Sequence, residues 1–143
     1  MYKRQAELRE LARGIHPAVL TEGGLGPALR ALTARAAVPV ALEAVPAERF
    51  PASAEVTAYF VVAEALTNVA RHAEAQRAAV TIQHEGEWLI VEVRDDGRGG
   101  AAADGGSGLR GLQDRLSALG GRMTVVSPPG EGTTLRAEVP CGS

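Results

Sequence analysis

Residues 88–93, WLIVEV, form the most β-like segment of the chain and run into RDDGRGG, two acids followed by three glycines in four positions. A strand in a buried sheet seldom ends that way. Strand ends are where ligands often meet α/β sheets. Glycine there lets a backbone come close to a flat or charged ligand and adopt positive φ. A carboxylate at Asp95 or Asp96 can accept a hydrogen bond from an exocyclic amine. Read alone, the stretch is more simply a plain turn.

Its surroundings narrow the fold. RAAVTIQH precedes it, and the intervening EGE predicts a hairpin. RMTVVS and TTLRAEVP read as two further strands turning through PPGEG, and VPVALEAV alternates as a short one. Between them lie helical patterns. Leu8, Leu11 and Ile15 are spaced for an amphipathic helix ended by Pro17. A second helix is predicted over about 26–36, with Pro27 in its first turn. A third runs over about 54–72, with Ser53 as cap, and a fourth carries Leu109, Leu112, Leu116 and Leu119 to a stop at Gly120 and Gly121. Helices alternating with strand pairs predict an α/β (α+β) sandwich: a mixed, mostly antiparallel sheet of about five strands with helices on one face. The weak seam lies near 17–27.

Composition excludes several classes. At 143 residues, with 45% hydrophobic residues and a formal charge of −2, the chain reads as one globular domain without a broad electrostatic footprint for nucleic acid. The single cysteine, Cys141, rules out an intrachain disulfide and favours a reducing compartment. The longest apolar stretch, VTAYFVVAEAL, is far short of the roughly 20 residues of a membrane helix.

Three more stretches can carry chemistry. In EALTNVARHA, residues Glu64, Asn68, Arg71 and His72 are spaced i, i+4, i+7 and i+8 and share a helix face, while Val62, Ala63, Leu66, Val69 and Ala70 lie towards a core. An amide oxygen beside a carboxylate suits a hard, partly hydrated Mg²⁺, and Arg71 suits phosphate oxygens. A solvated face with i, i+4 pairs explains the same residues. In GGSGLRGLQDRL, glycines lead into a helix whose first N–H groups would point at an anion. GSGLRG satisfies G-x-G-x-x-G, but it stands late in the chain and not after the first strand of a βαβ unit. GEGTTL places Thr133 where a second glycine turn re-enters the sheet.

Taken in order, EALTNVARHA, DDGRGG, GSGLRGLQDRLSALGG and GEGTTL resemble the N, G1 and G2 boxes and closing turn of the catalytic ATP-binding domain of sensor histidine kinases. The variant resembles the subfamily that pairs with response regulators bearing helix-turn-helix output domains. IHPAVLTEGGLGPALRAL is similar to the end of that subfamily's dimerisation segment and the first helix of its ATPase-like domain. The resemblance implies the Bergerat ATP-binding fold, with residues 1–20 as the end of a dimerisation and histidine-phosphotransfer helix and 21–143 as the catalytic ATP-binding domain. It implies ATP and Mg²⁺ as cofactors. Asp95 would accept the adenine amino group, with Gly97 and Gly99 letting the chain pass close to the base. Asn68 would ligate Mg²⁺, Glu64 would act through a metal-bound water or assist proton transfer, and Arg71 and His72 would meet phosphate. Gly108 and Leu109 would offer backbone N–H groups, and Thr133 would sit near the adenine through water. Residues 101–107, AAADGGS, would form a mobile ATP lid.

The histidines qualify the match. Such kinases transfer the γ-phosphoryl group to a histidine on an upstream helix, and this chain has only His16, His72 and His84. His16 precedes a proline at a helix end, His72 belongs to the nucleotide face, and His84 lies at a hairpin. The expectation is therefore the nucleotide-binding part of a longer, homodimeric parent, whose partners are ATP or ADP, its own dimerisation domain and a response regulator. The expected place is the cytoplasm, and an inner-membrane anchor elsewhere in the parent stays open. Two alternatives stay open as well. One is an anti-sigma-type serine kinase or another ATPase related to gyrase, Hsp90 and mismatch-repair proteins; the other is a non-catalytic nucleotide-sensing module.

Overall fold

The computed structural model describes residues 18–72, 74–98 and 107–142. The helix predicted before Pro17 lies outside these residues. The described chain runs α1 (Ala18–Gly23), α2 (Leu25–Ala34), β1 (Val40–Ala44), α3 (Ala52–His72), β2 (Ala78–Glu85), β3 (Trp88–Asp95), α4 (Ser107–Ala118), β4 (Arg122–Val126) and β5 (Thr133–Pro140). Its five strands form one sheet in the order β1-β2-β3-β5-β4. β1 runs parallel to β2, and every other pairing is antiparallel. This is the mixed, mostly antiparallel sandwich that the patterning predicts. The segment read as a seam holds a helix of its own, α1, whose Leu20 is buried in the core.

Strand alternation sorts the two faces. Val80 and Ile82, then Leu89, Val91 and Val93, then Leu135, Ala137 and Val139 all join one buried cluster with residues of the helices. The opposite face buries Ile90 but is otherwise mainly polar and charged. There Arg94 pairs with Glu43 and Glu92, Arg136 with Glu92 and Glu138, and Arg122 with Glu138. Such exposed pairs each stabilise little, but they keep this face in water and the helices on the other.

α3 begins at Ala52, so Ser53 lies exposed inside the first turn and does not cap it. Glu55 instead ties the start of the helix to the segment before it. Its buried carboxylate accepts the Phe50 N–H at 3.1 Å and two bonds from the Arg49 guanidinium at 2.9 and 3.0 Å. Arg49 also donates to the carbonyls of Thr21 and Glu22 in the last turns of α1, tying the two helices together. Replacing Glu55 with alanine is expected to cost about 1.5–3 kcal/mol, since a charged acceptor with several donors is lost at a buried helix start. Thermal melting checks this, and an unchanged midpoint would contradict it.

The two ends of the sheet differ. The β2–β3 hairpin end lies beside the start of α3, where Phe50 meets the His84 ring edge-on at 5.0 Å between centroids. α3, with 21 residues, is about 31 Å long. It therefore spans the sheet and leaves its C-terminus at the other end, where the chain enters β2 opposite Asp95. α4 runs the opposite way. Gly121, just beyond it, backs onto Glu138 and Pro140, and Pro140 pairs with Trp88 at the hairpin end. Arg115 of α4 stacks on the Phe60 ring of α3 at 4.9 Å, holding the helices side by side. The last turn of α3, the first turn of α4 and the end of β3 thus share one end of the domain.

Candidate functional site

Asp95, the last residue of β3, is in phase with Leu89, Val91 and Val93, so it faces the helices. The Gly97 N–H donates to its Oδ1 at 2.8 Å, and the Thr133 N–H also reaches the carboxylate. Burial pushes the Asp95 carboxyl above its ordinary value; the two N–H groups oppose this, and the neighbouring Asp96 charge adds to it. Thr133 is held in turn, its hydroxyl 2.6 Å from that of Ser127. Gly132, at φ 77, passes so close that a methyl group there would collide with the Asp95 carbonyl. Gly132→Ala is expected to cost more than about 1 kcal/mol and to displace Asp95, because both the left-handed backbone and the close approach need glycine. A melting point within experimental scatter of the parent would contradict this.

Asp96 behaves differently. Its Oδ1 accepts the N–H groups of Gln76 and Arg77, at 2.8 and 3.1 Å, on the loop between α3 and β2. Those bonds, the Arg77 one foremost, hold its carboxyl below the ordinary value. The two adjacent acids therefore divide between a helix-facing carboxylate, the one the resemblance singles out, and a loop anchor. The signal was present in the period of two: only Asp95 continues the buried alternation.

On α3, Glu64 and Asn68 are half-buried, one turn apart, and Arg71 is exposed in the last turn. His72 closes the helix. Val62, Leu66 and Val69 are buried as expected, whereas Ala63 is half-buried and Ala70 exposed, so the apolar stripe is narrower than the sequence predicts. Gly108 lies in the first turn of α4, and Leu109 buries its side chain, which leaves its backbone as the part able to meet a ligand. Gly97 is buried. Gly99 and lid residues 101–106 lie outside the described residues, and Ser107 begins α4.

Among the described residues no group of three or more His, Cys, Asp or Glu is placed to hold a metal ion. Mg²⁺ does not require such a group, since it keeps several waters and is usually bound through one or two protein groups plus substrate phosphates. Asn68 and Glu64 are a donor set of that kind.

A strand-end carboxylate, a polar helix face and a second helix's N-terminus meeting at one end of an α/β sandwich define a nucleotide-binding domain. Residues 53–143 match the family described as histidine kinase-, DNA gyrase B-, and HSP90-like ATPases, and the chain belongs to that family. It is similar to the sensor histidine kinase NarS of Mycobacterium tuberculosis, 32% identical over 142 residues that cover 93% of this chain and 33% of NarS. It is also similar to the sensor histidine kinase MctS of Rhizobium johnstonii, 34% identical over 145 residues, with 94% and 31% covered. Among solved structures it resembles a blue-light activated histidine kinase of Erythrobacter litoralis, with a TM-score of 0.65 and 28% identity over 82% of this chain and 41% of that one. The chain spans about a third of the length of these two curated relatives. It is a histidine kinase-type ATPase domain, and ATP is its nucleotide.

Proposed function

We propose that this domain holds Mg·ATP and donates its γ-phosphoryl group to a histidine on a dimerisation and phosphotransfer domain of the same protein, for relay to a response regulator. The observation that supports this most is the pairing of Asp95 with Gly97 and Thr133 at the same sheet end as Asn68 and the start of α4. An adenine amine donates to Asp95, whose carboxylate is already oriented by two N–H groups. The triphosphate then runs towards α3 and α4. There the N–H groups at Gly108 and Leu109 and the Arg71 guanidinium meet its oxygens, with His72 beside them. Thr133 would border the base, and Gly97 and Gly99 are the glycines assigned to letting the chain pass close to it.

Asn68, with Glu64 acting through water, would hold Mg²⁺, which neutralises charge on the transferring group when bound. The chain's own task is positioning. It fixes the γ-phosphate, and an imidazole from the dimerisation domain supplies the nucleophile in line. Glu64 orients water or takes up the imidazole proton. The acceptor is not assigned to His16, His72 or His84. The boundary between the two domains is placed near residue 20, and the whole protein is read as a homodimer working in the reducing cytoplasm, consistent with a lone cysteine. Among the described residues no helix is long and apolar enough to cross a membrane.

Titration with a fluorescent ATP analogue, with and without Mg²⁺, tests the site. Saturable binding that tightens with Mg²⁺ is expected. Binding absent under both conditions would overturn the reading.

A further inference from the structure

We propose that Asp96 is a positioning residue which locks the adenine end of the site to its phosphate end, a role that rests on the nucleotide reading above. Asp96 does not make a local turn. Its Oδ1 reaches backbone N–H groups 20 and 19 residues back, at Gln76 and Arg77, and its own N–H donates to the Arg77 carbonyl at 3.3 Å. Gln76 and Arg77 belong to the loop that leaves α3, the helix carrying Asn68 and Arg71. Asp96 itself follows Asp95 directly. One side chain thus joins the exit of the helix that faces the phosphates to the exit of the strand that faces the base.

The same seam carries secondary ties. Arg98 pairs with Glu74 at 3.5 Å, and Glu74, at φ 53, adopts the left-handed backbone uncommon for a residue with a side chain. The Arg98 carbonyl accepts the Gly130 N–H at 2.6 Å, so the β4–β5 turn is drawn into the same block. The exposed ion pair contributes little. The two charge-assisted bonds that the Asp96 carboxylate accepts are the strong members, and they hold its carboxyl below the ordinary range.

Fixed spacing matters only to a ligand that touches both ends. For such a ligand the second contact is intramolecular and gains from a high effective concentration, which falls when the two halves shift relative to one another. A ligand that touches only the base end loses little. Both N–H groups converge on one oxygen, so an asparagine amide oxygen can replace it, whereas alanine cannot.

The test is an NMR titration of the chain and its Asp96→Ala, Asp96→Asn and Asp95→Asn variants with Mg·ATP and with adenosine. Asp96→Ala should weaken ATP by about tenfold or more while adenosine changes less than about threefold. Asp96→Asn should stay within about twofold of the parent for ATP, while its neighbour Asp95→Asn falls by about tenfold or more. ATP affinity unchanged in Asp96→Ala, or equal losses of ATP and adenosine, would overturn the positioning role. So would Asp96→Asn losing as much as Asp95→Asn, and that isosteric pair decides the matter even if the alanine variant fails to fold. A parent chain that binds neither ligand would instead sink the nucleotide reading and this role with it.

Discussion

Asn68→Ala is expected to abolish the gain in ATP affinity that Mg²⁺ confers, and to slow phosphoryl transfer in the whole protein by about 10²–10³-fold. Asn68 is half-buried one turn beyond Glu64 on α3, at the sheet end where the Asp95 carboxylate also lies. Among the described residues no richer cluster competes for the ion. A mid-helix asparagine is otherwise an unfavourable choice, since its amide competes with the helix backbone. Alanine is the best helix former, so the helix itself should be at least as stable in the variant. Metal-free binding should fall much less, because the base and phosphate contacts remain. Calorimetric titration with and without Mg²⁺ separates the two effects. An equal Mg²⁺ enhancement in parent and variant would return Asn68 to a solvated helix face.

Asp95→Asn is expected to weaken ATP by about 1.5–3 kcal/mol, roughly tenfold to 150-fold, through loss of a charged acceptor. The fold should not suffer. Burial raises the Asp95 carboxyl above its unfolded value, so its ionisation opposes folding once the pH is above that raised value. Any stability it contributes is present only in acid and is lost as pH rises through the folded pKa. At neutral pH the asparagine variant should therefore melt at the same temperature or higher. The same shift sets a pH signature in binding. The ionised carboxylate is the acceptor, so the parent's advantage over the variant should shrink as pH falls through a value higher than that of an ordinary carboxylate. Equal affinity of parent and variant across the range would remove Asp95 from the site.

Much of this was legible in the sequence, for identifiable reasons. β5 alternates closely, and β3 does so from Val91 onward, where Ile90 before it is also buried, so their period of two could be read along most of their length. α3 was readable from its apolar stripe, but its start was not. Ser53 is a better cap on local preference than Pro51. The position was settled by Arg49 and Glu55 acting across the chain, and Arg49 also reaches α1, about 27 residues back. Ala70 fell outside the core because it faces away from it, on the flank of the half-buried Ala63, while Val69 in the same turn is buried. The candidate site residues were legible as a set through their order along the chain. Asp95 could be singled out from its neighbour, but the anchoring role of Asp96 was hidden. That role depends on the N–H groups of Gln76 and Arg77 some 20 residues away. The closeness of Gly132 to Asp95 was hidden too, since it follows from the β3–β5 register, where Asp95 stands opposite Thr133.

The most direct measurement is transfer itself. The chain is incubated with γ-labelled Mg·ATP, alone and with the dimerisation and phosphotransfer domain of its parent protein, and the products are treated with acid and with base. The chain alone should bind nucleotide yet take up no stoichiometric label, while the added domain should gain a phosphoryl group that is labile in acid and stable in base, as a phosphohistidine is. Acid-stable label on a hydroxyl side chain, or stoichiometric acid-labile label on His16 of the chain by itself, would contradict a domain that holds Mg·ATP for a histidine supplied from elsewhere.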